Sequence, residues 1–391
     1  MRHAFYLAAC YLSFHRARSL ILIACLSLMA ALPVGLHQML EEGQRQMRAR
    51  ALSTPLLLTP SGSAVDTTLA VLNFSGRDLP TVSIGTLNAL QDTGWGMTLP
   101  IFSRFKVQGQ ALIGVTLDYF DFRGLQLAAG DTLTLLGDCV LGAEAARALN
   151  RRIGDVLLTA PENLFDLAGV FPLKLHVAGV LAPSGTADDA AIFIDLKTSW
   201  ILEGLGHGHS APSKPGESTA GLSEARLRTY TEITPDNIDS FHFHGDPNQY
   251  PITAGIIVPR DPRSSTLIKG RFVDQQSPVR LIEPRLVVQE LMDSFFRITR
   301  LFDGVILAVS AATLLALGLV FSLSLRLRRR EMETSRHIGC SRLFGVKLVL
   351  AELVLLLLAA GLVSFGLITL FDGLCSGWVR MMWWPQGGGD D

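Results

Sequence analysis

Charge is scarce in this chain. Only 18% of its 391 residues are charged, 49% are hydrophobic, and the mean hydropathy is +0.34. The formal net charge is −1, so no whole-chain basic field exists to attract a polyanion, and nucleic acid is not expected as a partner. Cysteine is scarce too: five residues at 10, 25, 139, 340 and 375, none in a CxxC pair. An odd, dispersed set builds neither a disulfide framework nor a zinc knuckle, and all five read as small buried hydrophobes. No GxxxxGK[ST] loop is present to cradle phosphates. HExxH and GxSxG are absent as well, and no nucleophile and base stand at a recognisable spacing. The chain is therefore not expected to be an enzyme, and no cofactor is expected.

Long apolar runs are what the chain has instead. Residues 19–40, 304–325 and 348–371 are each long enough to cross a bilayer core of about 30 Å at about 1.5 Å per residue. The second run is uncharged, and the third carries only Glu352, an intramembrane polar residue one turn from its start. Pro33 should kink the first. A cleaved signal peptide is disfavoured, because the first run is too long and a polar, helix-prone stretch follows it. Residues 1–18 carry Arg2, Arg16 and Arg18 without an acid, and 326–347 carry seven Lys or Arg against Glu331 and Glu333. Short cationic segments stay in the cytoplasm, so the N-terminus and 326–347 are expected inside, with 41–300 and the tail 372–391 outside. Trp378, Trp383 and Trp384 suit an outer interfacial belt.

The expected fold class is an α-helical transmembrane bundle of three spans with a large α+β extracytoplasmic domain between spans 1 and 2. Strands are predicted at 55–59, 102–117, 171–196, 252–260 and 279–284, and a strand leading into a helix at 139–153. A loop followed by a helix is predicted at 79–93. Helices at 38–52 and 285–302 would extend the first two spans outward as stiff stalks. Residues 203–225 are rich in Gly, Ser and Pro and read as a flexible insert.

The histidines form one constellation. His207 and His209 flank Gly208, and His242 and His244 flank Phe243. Residues two apart on a strand share a face, so His242 and His244 make a candidate zinc or copper half-site; His207 and His209, in the flexible insert, are candidates beside them, and both pairs also read as simply solvated.

The stretch RRREMETSRHIGCS, 328–341, is the most charged short segment and sits between two apolar runs. Anchoring by positive charge needs no Glu331, Glu333 or Gly339, so a short helix docking on a cytoplasmic partner is the favoured reading. With the residues that follow, RRREMETSRHIGCSRLFGVKLVLAELV resembles the coupling helix of the FtsX/MacB-type ABC transporter permeases. Arg329, Arg330, Glu331, Arg336, Gly339, Ser341 and Glu352 match that pattern, and Met332 stands where the family has Ile. Residues 177–196, VAGVLAPSGTADDAAIFIDL, are similar to the core of the MacB-type periplasmic domain. The start of the chain is similar to the family's amphipathic cytoplasmic helix, 1–18, and first span.

The resemblance implies a permease subunit in a bacterial inner membrane. It would be paired with a second permease protomer, as a homo- or heterodimer, and with a separate cytoplasmic ABC ATPase that docks on 331–340. Motion would pass outward to a domain that exports compounds, extracts lipoproteins or regulates a hydrolase through a periplasmic partner. The family usually has four spans. Here two follow the outer domain, which implies a three-span form or loss of the last span. The alternative is a membrane-anchored binding or sensing protein, metal-related, without an ATPase.

Overall fold

The computed structural model describes residues 2–75, 79–159, 172–208, 232–272, 277–327 and 342–383. The chain divides into two compact units, Met1–Arg45 with Leu291–Trp383, and Gln46–Glu290. Two helices open it, α1 (Arg2–Phe14) and α2 (Arg16–Leu52). Pro33 lies inside α2, which continues without interruption past the apolar run into the polar stretch expected to extend it.

The second unit then begins with β1 (Leu56–Pro60), α3 (Ala64–Asn73), β2 (Val82–Ser83), α4 (Ile84–Gln91), β3 (Gly96–Val107) and β4 (Gln110–Val115). There follow α5 (Asp118–Arg123), β5 (Leu127–Gly130), β6 (Asp138–Leu141), α6 (Ala143–Leu149), β7 (Val156–Leu158), β8 (Lys174–Leu181) and β9 (Ala191–Asp195). The unit continues with α7 (Leu196–Leu202), β10 (Gly206–Gly208), β11 (Phe241–Phe243), β12 (Pro251–Ile252), β13 (Ala254–Pro259), α8 (Pro262–Arg271) and β14 (Val279–Ile282). Two long helices close the chain, α9 (Pro284–Leu327) and α10 (Arg342–Trp383).

Among the described residues, ten strands form one sheet in the order β14-β1-β13-β3-β4-β9-β6-β8-β5, with β7 also paired to β8. The β4–β9 and β6–β8 pairs are parallel and the others antiparallel. Local chemistry explains much of this. Gln108 and Gly109 both take positive φ, 50° and 86°, which is the two-residue turn whose twist suits a hairpin, and it joins β3 to β4. β8 alternates as a half-covered strand should: Leu175, Val177 and Leu181 are buried while Lys174 is exposed. β1 is buried on both faces. Leu57 joins a core with Leu99, Ile113, Tyr119 and Phe193, while Leu56 and Leu58 join a second with Leu87, Phe102 and Trp200. A third core, built on Leu112, Cys139, Leu175 and Ile194, underlies the far half of the sheet.

In the helical unit, Ala4 and Ala8 of α1 pack on Ala351 of α10, with Leu348 and Leu355 alongside. Small residues spaced by four let helices approach closely. Ser364 Oγ of α10 donates to the Ser27 carbonyl of α2 at 3.0 Å, and both residues are buried. The outer faces are apolar, with Leu20, Ile21 and Leu32 on α2 and Leu358, Leu362 and Phe365 on α10 exposed.

Among the described residues, two helices are long and apolar enough to cross a membrane, Arg16–Gly35 and Gly345–Leu370. The second expected span, 304–325, lies within α9, where the apolar helical run Phe302–Ala316 is shorter. Four readings change. Residues 372–383, read as tail, continue α10. The insert expected from residue 203 begins in order: Gly206 and Gly208 lie in β10, because bare α-carbons leave room for the rings of Phe243 and Phe241 across the ladder. Residues 209–225 lie outside the described residues. Cys139 is buried as expected, whereas Cys10 and Cys25 are exposed on the apolar helices α1 and α2. Four helices, α3, α5, α7 and α8, occur where none was predicted.

Candidate functional site

The last turn of α2 ends in a buried ionic joint. The side chains of Arg50 and Asp188 are only 7% and 1% exposed. Arg50 reaches the Asp188 carboxylate with both terminal nitrogens, Nη1 to Oδ2 at 2.5 Å and Nη2 to Oδ1 at 3.1 Å. This parallel fork fixes orientation as well as charge. Tyr119 Oη donates to Asp188 Oδ1 at 2.8 Å and accepts from Arg50 Nη2 at 3.2 Å. Thr186 Oγ1 donates to Asp188 Oδ2 at 2.8 Å. The guanidinium also lies over the Phe74 ring, 5.2 Å from its centroid.

Arg123, at the end of α5, grips the same helix terminus. It donates to Ser53 Oγ at 2.9 Å and Thr54 Oγ1 at 3.0 Å, and both hydroxyls donate to the Arg50 carbonyl at 2.9 Å. A cation there suits the negative end of the helix. The acid side is built by PSGTADDA. Asp189 accepts from Ser184 N, Ser184 Oγ and Gly185 N at 2.8 Å, which curls the loop so that Asp188 faces Arg50.

Burial works against charge at every one of these groups. For Asp188, burial alone would raise the pKa; the Arg50 guanidinium and the hydrogen bonds it receives from Arg50 and Tyr119 override this and hold it below the usual carboxylate range. For Arg50, burial is again opposed, and the Asp188 charge raises its pKa above the ordinary value. The Tyr119 hydroxyl is pushed up to about 12, first by burial and then by the Asp188 charge. The joint is therefore a carboxylate–guanidinium pair with a neutral phenol, suited to holding rather than to proton transfer.

The coupling residues Arg329, Arg330, Glu331, Met332, Arg336, Gly339 and Ser341 lie outside the described residues, as does His209. Glu352 is buried in α10 beside Ala351. Three of the four site histidines come together: His207, His242 and His244 offer ring nitrogens that all lie within 4.8 Å of one another. Sequence reading placed the histidines in pairs but not their meeting across strands. It missed Arg50, Tyr119, Arg123 and Asp188, although two adjacent acids between apolar strands were a signal to look for a buried cation.

A family model described as the MacB-like periplasmic core domain matches residues 20–228, more than half of the chain. The periplasmic region of MacB from Actinobacillus actinomycetemcomitans is similar at 14% identity, over 61% of this chain and 92% of that one, with a TM-score of 0.34. The extracellular domain of the noncanonic ABC-type transporter YknZ from Gram-positive bacteria is similar at 9% identity, over 58% of this chain and 98% of that one, with a TM-score of 0.32. No curated protein matches the sequence. All four residues of the joint fall inside the matched region, whereas His242 and His244 fall beyond it. The chain belongs to the FtsX/MacB-type permease family through its MacB-like periplasmic core domain.

Proposed function

We propose that this chain is the membrane subunit of an ABC transporter that converts ATP hydrolysis in a separate cytoplasmic ATPase into movement of its extracytoplasmic domain. The reading supported best has three spans in a bacterial inner membrane, 19–40, 304–325 and 348–371, with the N-terminus inside. Residues 331–340 would sit on the ATPase, with Arg329, Arg330, Glu331, Met332, Arg336, Gly339 and Ser341 forming the contact. A second protomer would complete the assembly.

The observation that carries the proposal is the Arg50–Asp188 fork at the end of α2. A single helix runs from Arg16 to Leu52, and its last turn is clamped to the domain by buried charge rather than by a slack linker. Displacement of that helix is delivered to the 184–189 loop and so to β9. Two variants of the full-length protein test this in its native membrane. Glu331→Lys should lose the co-purifying ATPase, because it reverses a charge in the docking segment. Asp188→Asn should keep the ATPase but lose the output that its hydrolysis drives. Full retention of the ATPase by the first variant overturns the docking role. Full output from a folded second variant overturns the joint as the route of force.

A further inference from the structure

The two-stranded ladder of β10 and β11 lies outside the main sheet and gathers histidines on one face. In its antiparallel register Gly206 faces Phe243, His207 faces His242, and Gly208 faces Phe241. The backbone N–H of His244 donates to the Leu205 carbonyl at 2.9 Å, extending that register by one residue. Side chains alternate across a strand, so His207, His242 and His244 share one face while the two phenylalanines cover the glycines on the other. The ring centroids of the three imidazoles are 4.7 to 5.0 Å apart.

We propose that His207, His242 and His244 form a site for one divalent transition-metal ion of the zinc type. Two nitrogens about 2.0–2.1 Å from a tetrahedral zinc are separated by roughly 3.4 Å. His207 Nε2 and His244 Nε2 stand 3.3 Å apart, the separation that two such ligands need. His242 Nδ1 lies 3.2 Å from the Ser240 carbonyl, the kind of backbone contact that orients a ligating imidazole. The backing is firm: the Phe243 ring packs against Tyr250, whose hydroxyl donates to the His244 carbonyl at 3.0 Å. Nearby Asp246 accepts from Asn248 N at 2.9 Å, and among the described residues the gathered ligands are the three imidazoles. Imidazole suits zinc and copper over calcium or magnesium. A bound ion would tie β10 to β11 and so hold together the two ends of the 209–240 connection.

The test uses the full-length protein in nanodiscs after chelator treatment, titrated with Zn²⁺ by calorimetry and with Co²⁺ by visible absorption. We expect one ion per chain, the intense absorption of tetrahedral cobalt, and zinc-dependent elevation of the unfolding temperature. His207→Ala, His242→Ala and His244→Ala should each weaken binding at least tenfold, since even loss of a group supporting a ligand costs about 10–100-fold. His176→Ala, on β8 and paired there with Glu232 from outside the strand, should leave affinity unchanged. A second measurement needs no variant: zinc should protect these three histidines of the wild-type protein from diethyl pyrocarbonate, as read by mass spectrometry. Unchanged affinity in the triple variant, absence of stoichiometric binding by the wild type, or absence of zinc protection overturns the site.

Discussion

At the residue scale the molecule is governed by Asp188. Its carboxylate is nearly inaccessible and accepts from Arg50, Tyr119 and Thr186. Removing one partner of a buried pair leaves the other charged and unsolvated, so Asp188→Ala should cost on the order of 3–5 kcal/mol in urea unfolding. Tyr119→Phe deprives Asp188 of one donor and Arg50 of one acceptor and should cost about 1–3 kcal/mol. The sign of the pH dependence follows from the depressed pKa of Asp188. Its contribution is complete above the unfolded value, about 3.9, and is lost as pH falls through the lower folded value. The alkaline limb runs the other way. Burial pushes both Tyr119 and the Cys139 thiol up to about 12, so the stability they hold is complete below their ordinary values and is lost as pH rises toward 12. Thermal unfolding scanned across pH should show both limbs, and Asp188→Asn should flatten the acid one. None of this joint was read from sequence, because Arg50 and Asp188 are 138 positions apart, and Arg50 and Tyr119 are 69 apart.

At the scale of elements, agreement between sequence and structure tracks how local each cause is. The period-two pattern of β8 and the unbroken apolar run of β1 were legible because burial on one face or two leaves its mark on adjacent residues. The long helices α2 and α9 were legible from their unbroken apolar runs and the helix-prone stretches beside them. α3 was not predicted, although Ser63 caps it through Asp66 N at 3.2 Å; Ser63→Ala should cost about 1 kcal/mol. α8 begins at Asp261-Pro262, a start signal that its mostly polar sequence obscured. β10 was hidden because glycine usually argues against a strand, and only the rings of its partner supply the missing cover. Gly142, just before α6, has a different reason. A Cβ there would meet the carbonyl oxygens of Asp188 and Asp189, so Gly142→Ala should displace the acid loop and cost about 1–3 kcal/mol in chemical denaturation.

At the scale of the whole molecule, the proposed orientation can be read chemically. With the native cysteines replaced by serine, Glu333→Cys should react with a membrane-impermeant maleimide only from the cytoplasmic side, and the exposed Ser61→Cys only from the outer side. The opposite pattern would invert the topology and remove the docking segment from any cytoplasmic ATPase. Sequence alone determined the apolar runs, the placing of cationic segments beside them and the α+β texture of residues 41–300, because hydropathy, charge and strand period are sums over neighbouring residues. Tertiary structure decided which distant groups meet. The Arg50 fork depends on a loop folded by Asp189, and the imidazole cluster depends on a register that sets His207 opposite His242. Both arise from pairings whose energy belongs to two remote stretches at once, and neither stretch carries that information by itself.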